Sequence, residues 1–221
     1  MNEEVLERIF KVNLGVNDTE RVLVFADLIA PFERVDDETR AKRERLPAIA
    51  KALSDVGRKF CSTRYHEFNA TGSHGHEPPR ALWVEAFGEA ATERLEEAGV
   101  FDRLIDKTAS HGDITEAGRI VREYGSSPEA VVALTNYSTS HTRFRDLLTS
   151  CMSARYASMP MFEESMLDGV MTADWKEVEA RTLRLAEKMD GADTVVVTSH
   201  NGTSITFSMK GREVLTDTGI I

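Results

Sequence analysis

A chain of 221 residues is long enough to bury a core without disulfide or metal staples, and it falls between one large domain and two modest ones. Its hydrophobic fraction of 41% and charged fraction of 29% exclude a disordered polypeptide, and the formal charge of −10 repels phosphate backbones and anionic lipid. The most basic stretch, residues 40–45, is interrupted by Glu44 and follows Asp36, Asp37 and Glu38, a solvated helical face; the expectation is no nucleic-acid and no membrane partner.

The opening MNEEVLERIF is acidic where a secretory signal is basic, and no apolar run approaches the ~20 residues of a membrane span. Cys61 and Cys151 form no C-x-x-C or metal spacing, so reduced thiols in a cytoplasmic protein are expected. Residues 22–26 (VLVFA) are a continuous apolar run of the kind buried on both faces of a parallel sheet, with Asp27 at the carboxyl end. Leu46, Ile49, Ala50, Leu53 and Val56 then form a helical stripe stopped by Gly57. Pro47 is tolerated only near a helix start, so residues 39–45 read as a separate turn. Residues 59–68 are a second, more polar strand, and residues 69–79 (NATGSHGHEPP) are a loop.

Residues 80–107 are helical, broken near Gly88 and Gly99. Asp113 with Glu116 resembles a capping box, and Ile114, Ala117, Ile120, Val121 and Tyr124 give the next helix one apolar face before Gly125. Residues 130–134 (AVVAL) are another buried strand, followed by a polar loop, a short helix through Leu147 and Leu148, and a strand over 155–158. This alternation predicts an α/β fold with a mainly parallel sheet flanked by helices. Two helices follow, over 162–171 and 174–189, the second opened by Asp174. The period then drops to two: residues 195–197 enter a hairpin with Asn201-Gly202 in its turn, Ile205, Phe207 and Met209 alternate with polar residues, and a third strand starts at Glu213. The expected organisation is an α/β domain over 1–190 and a β-meander over 191–221, the beginning of a β-rich second domain.

Two stretches offer chemistry. In residues 65–79 the donors His66, Glu67, His74, His76 and Glu77 include an H-x-H pair, His74 and His76, that could hold a divalent metal; the alternative is a solvated loop. In residues 136–145 (NYSTSHTRFR) the hydroxyls of Ser138, Thr139, Ser140 and Thr142, with His141, lie after a buried strand and open a helix. Ligands gather at such strand ends, and Ser140, His141 and Thr142 are candidate substrate contacts; the same groups could instead cap the helix. No Walker loop, dinucleotide fingerprint or nucleophile elbow occurs, and Cys61 near His66 lacks a third group to complete a nucleophilic site. The methionines between Met152 and Met171 read as pliable packing.

Residues 140–167 (SHTRFRDLLTSCMSARYASMPMFEESML) and 174–220 resemble the metal-dependent aminopeptidases of the aminopeptidase T and aminopeptidase S type. The likeness is most specific in Ser140-His141-Thr142, in Ala157-Ser158-Met159-Pro160, and in Gly202-Thr203, Phe207-Ser208, Lys210-Gly211-Arg212 and Asp217-Thr218-Gly219; it is collinear from Val5 onward. The resemblance implies an N-terminal α/β domain preceding a larger domain that binds two divalent ions, zinc or cobalt, through glutamate, histidine, tyrosine and aspartate. The first of those ligands would follow Ile221, so no catalytic residue, metal ligand or cofactor is carried onto this chain, and it is expected to be inactive alone. Peptide substrate belongs to the full-length parent. The closing residues read as a strand with a bare edge, which suggests a fragment prone to homo-oligomerise. Two other functions stay open: a stand-alone small-ligand binding or assembly module using the loops around Asp27 and residues 136–142, or the N-terminal part of a related iron-dependent ring-opening dioxygenase.

Overall fold

Strand β1 (Arg21–Leu28) has no polar alternation through its middle because both of its faces are covered in the computed structural model, which describes residues 2–221. It pairs in parallel with β2 (Ser62–Asn69) on one side and β3 (Ala130–Leu134) on the other, and β3 pairs in parallel with β4 (Arg155–Ser158), giving the order β2-β1-β3-β4. Val24 is level with Tyr65 on β2 and with Val132 on β3. The α/β fold and mainly parallel sheet expected from the sequence are thus present.

Side-chain parity divides the core in two. Leu23, Phe25, Val131 and Ala133 face a layer built from α3 (Arg80–Phe87), α4 (Glu89–Glu97), α5 (Phe101–Ile105), α6 (His111–Tyr124) and α7 (Arg143–Met152). Val22, Val24, Ala26, Ala130, Val132 and Leu134 face α1 (Glu3–Arg8), the π-helical turn Ile9–Asn13 and α2 (Asp37–Gly57). The chain leaves β1 through α2 toward β2 and leaves β3 through α7 toward β4, in the opposite direction. The loops after β1 and β3 therefore diverge at a topological switch point, where an open α/β sheet makes room for a ligand.

Several local expectations are corrected. Residues 39–45 are not a separate turn: α2 is continuous, capped where Asp36 accepts the Thr39 N–H at 2.8 Å, with Pro47 inside it. Proline forfeits one helical hydrogen bond and crowds the preceding turn, a cost of about 3 kcal/mol. Tertiary contacts on both sides of Pro47 offset it: Arg43 pairs with Glu33, Leu46 and Ile49 are buried, and the Tyr65 hydroxyl, which bonds Glu67 at 2.8 Å, also lies 3.1 Å from the Pro47 carbonyl. Gly57 ends α2 where the backbone closes on its neighbours; a Cβ there would lie 2.5 Å from Thr63 Oγ1 and 2.7 Å from the Phe10 ring. The capping box of α6 is Ser110 with Asp113, so Asp113 sits inside the first turn, while Glu116 pairs with Arg119. Residues 162–171 are not a helix but hold two 3-10 turns, Glu164–Leu167 and Val170–Thr172, separated at Gly169; Phe162 and Leu167 are buried in the α2 layer.

The chain forms two compact units, Met1–Thr172 and Ala173–Ile221. The second holds α8 (Trp175–Met189), capped by Asp174, and an antiparallel hairpin of β5 (Thr194–Thr198) and β6 (Ser204–Ser208). Val195 is level with Phe207 and Val197 with Ile205, as the alternation requires. In the turn Asn201 Oδ1 accepts the Thr203 N–H at 3.0 Å and Gly202 has φ of +90°. The third strand of the expected meander does not form: residues 209–221 carry turns and irregular backbone, and the second sheet has two strands. Instead of pairing with β6, this segment brings Gly219 so close to the Trp175 ring of α8 that a Cβ would lie 2.7 Å from it. Among the described residues no helix is long and apolar enough to cross a membrane.

Candidate functional site

The carboxyl ends of β1, β3 and β4 carry a polar assembly organised by two buried carboxylates. Asp27, at the end of β1 and only 2% exposed, accepts the Asn136 N–H at 2.6 Å and the Tyr137 N–H at 3.1 Å, fixing the start of the β3–α7 loop. Burial pushes its carboxyl above the ordinary range, while those two N–H groups and Arg43 pull the other way. Glu77 fixes the far end of the same loop: it accepts the Arg143 and Phe144 N–H groups at 2.6 and 3.0 Å. Its carboxylate thereby occupies the N-terminus of α7, where the helix dipole favours a negative charge. Burial raises its pKa too, with the same two N–H groups opposing.

Beside Asp27 lies a buried ion pair. Arg43 bonds Glu33 through both guanidinium nitrogens at 2.6 and 3.1 Å, and Glu33 also accepts from the Ala30 N–H at 2.7 Å and the Tyr137 hydroxyl at 2.8 Å. Burial alone would raise the Glu33 pKa, but the bonds from Arg43, Ala30 and Tyr137 hold it below the usual carboxylate range. The Arg43 guanidinium also sits over the Tyr137 ring, 5.3 Å from its centroid.

The predicted metal pair is drawn into this loop packing. His74 Nδ1 accepts the Ser138 N–H at 3.0 Å and its ring meets Tyr137 edge-on, which engages the lone pair a metal would need. His76 Nδ1 lies 3.2 Å from the Thr71 carbonyl. Between them Gly75, at φ of +75°, donates to the Ser138 carbonyl at 2.7 Å, so residues 74–75 zip against the β3–α7 loop. Among the described residues no group of three or more His, Cys, Asp or Glu side chains is placed to hold a metal ion. Cys61 bonds the Gly57 carbonyl and Thr63 Oγ1, and burial pushes its thiol up, away from the reactive thiolate.

Ser140, His141 and Thr142 line an open cleft of about 340 Å³ at the start of α7, together with Lys107, Arg143, Arg145 and Asp146. Thr142 is buried and serves as N-cap: its hydroxyl accepts the Arg145 N–H at 3.1 Å and donates to the Thr139 carbonyl at 2.7 Å. Ser140 donates to the Ser158 hydroxyl at 2.8 Å and accepts from Ser138 at 3.1 Å, tying the loop to the end of β4. His141 is exposed.

The sequence alone does not single out Glu33, Arg43, Tyr137 or Lys107. Arg43 carries a usable signal, since it stands on the apolar stripe of α2 three residues before Leu46, where a cation needs a buried partner. Lys107 carries none: it follows α5 in sequence and reaches the cleft only through the fold. No protein-family model, no curated protein and no solved structure matches this chain.

Proposed function

We propose that the chain is the N-terminal α/β domain of a metal-dependent aminopeptidase similar to the aminopeptidase T type, and that it binds and orients peptide beside a dinuclear centre supplied by a further domain. One observation supports this reading. Ser140-His141-Thr142 and Ala157-Ser158-Met159-Pro160, two of the segments that carry the resemblance, meet at the carboxyl edge of the sheet, where Ser140 Oγ donates to Ser158 Oγ at 2.8 Å beside the cleft. That edge is where an open parallel sheet receives its ligand.

The chemistry divides between the two parts. Paired divalent ions, zinc or cobalt, activate a water and polarise the scissile carbonyl when bound. The residues of this chain contribute position: Asp27 and Glu77 hold the β3–α7 loop at both ends, and the cleft beside it presents hydroxyl, imidazole and cationic groups. Fixing a substrate in this way is itself a large part of a catalytic effect.

The test is hydrolysis of leucine p-nitroanilide by the protein extended through whatever its gene encodes beyond Ile221. Turnover that requires zinc or cobalt and disappears on chelation is expected, with none from residues 1–221 alone. A reading frame closing after Ile221, metal-independent turnover by residues 1–221, or an inactive metal-loaded extended protein would each overturn the proposal.

A further inference from the structure

The cleft at the start of α7 has an unbalanced charge. Its lining brings three cations, Lys107, Arg143 and Arg145, against two carboxylates, Glu77 and Asp146, a surplus of one positive charge in a chain whose formal net charge is −10. The two carboxylates are already engaged. Glu77 is buried and accepts two backbone N–H groups, and Asp146 serves both arginines, with Arg143 at 3.2 Å and Arg145 at 3.7 Å. Lys107 is left over: its field reaches the buried Glu77, yet among the described residues its ammonium forms no hydrogen bond or ion pair. Lys107 Nζ, the His141 carbonyl oxygen and the His141 Cβ all lie within 3.7 Å of the point where a Cβ on Gly75 would sit, so the ammonium and the His141 backbone converge over a residue that has no side chain to fill the space.

We propose that this cleft binds the terminal carboxylate of a short peptide, with Lys107 as its counter-ion; the peptide identity rests on the aminopeptidase reading, while the preference for an oxyanion rests on the cleft alone. A volume of about 340 Å³ lies within the ~300–1,000 Å³ of small-ligand pockets and suits a di- or tripeptide. A single negative charge matches a surplus of one, whereas a phosphate monoester would bring nearly two. Ammonium-to-carboxylate hydrogen bonds are charge-assisted, and Lys107 offers three donors without having to break an existing pair.

The experiment uses residues 1–221 without added metal and reads binding instead of hydrolysis. The probes are Leu-Gly-Gly, its C-terminal amide and inorganic phosphate, titrated into ¹⁵N-labelled protein. The free acid should shift the amides of residues 140–146, the amide should bind roughly five- to tenfold more weakly, and Lys107→Gln should weaken the free acid by a similar factor while Lys107→Arg restores it. Lys107 is exposed, so neither variant threatens the fold. Equal affinity for acid and amide, indifference to Lys107→Gln, or phosphate binding in preference to peptide would overturn the proposal. Because no turnover is read, a failed hydrolysis assay of the extended protein and a failed titration of residues 1–221 condemn different claims.

Discussion

Strand β3 and helix α8 announce themselves equally well by their hydrophobic patterns, yet every residue of β3 is buried and no residue of α8 is. The difference lies in what covers each element. β3 lies inside a unit with helical layers on both faces of its sheet, so each of its side chains has a partner layer. The second unit sets one helix and a two-stranded hairpin together, too few elements to surround either; Leu185 is 59% exposed and Ile205 53%. Periodicity thus specifies an element and its apolar face, whereas the depth of burial depends on how many other elements converge on it.

The largest losses of stability are expected in the first unit. Phe144 is fully buried and meets Phe25, Trp83 and Phe87 edge-on at centroid distances of 6.2, 5.5 and 5.7 Å. Phe144→Ala should cost about 3–5 kcal/mol in urea unfolding. Arg43→Met should cost a comparable ~3–5 kcal/mol at neutral pH, because it leaves the buried Glu33 carboxylate without its counter-charge. Adding Glu33→Gln to that variant should recover part of the loss; no recovery would mean that packing, not charge, dominates there.

Asp27→Ala comes next, at about 1–3 kcal/mol, from the unpaired N–H groups of Asn136 and Tyr137. Its pH dependence has a definite sign. Burial raises the folded-state pKa of Asp27 and Glu77, so each contributes stability that is complete below its unfolded pKa and lost as pH rises through the folded value. Glu33 acts oppositely: its folded pKa is depressed, so its contribution is present above the unfolded value and disappears as pH falls through the folded one. Melting temperatures measured from about pH 4 to about pH 8 should therefore fall less steeply on the alkaline side for Asp27→Ala than for the parent. An unchanged slope would remove Asp27 from this account.

The smallest effect belongs to the second unit. Leu185→Ala on α8 should change stability by no more than about 0.5 kcal/mol, as for other exposed positions. Amides of α8 and the hairpin should exchange with deuterium sooner than those of β1 and β3. A loss at Leu185 matching that at Phe144, or equal protection of the two units, would mean that α8 is packed as tightly as β3.

Much of this architecture is legible in the sequence for a physical reason: β1, β3 and β4 are short runs bounded by polar residues, and α8 and the hairpin change period cleanly at Gly191. What escapes is decided at long range. Pro47 should break a helix on local grounds and is overruled by contacts from Tyr65 and by the Arg43–Glu33 pair. The third strand from Glu213 has the composition for pairing, but Gly219 closes on Trp175 instead. At the site, strand-end position points to Ser140, His141 and Thr142, because loop chemistry after a buried strand can be read locally. Glu77 and Lys107 come from other loops, and nothing near them in sequence tells which helix N-terminus or cleft they will reach.

The parity of β1 makes both layers of the core sensitive to the length of the strand. Even-numbered side chains from Val22 to Ala26 feed one hydrophobic layer and odd-numbered ones feed the other, so deleting or inserting a single residue upstream in the strand would exchange their assignments. Phe25 would then be driven toward the space shaped around Val24, and the aromatic cluster opposite would lose its centre. Such a frame error injures both sides of the sheet together, whereas a conservative replacement injures one. Variation in length should therefore be far rarer in this strand than variation in the identity of its residues.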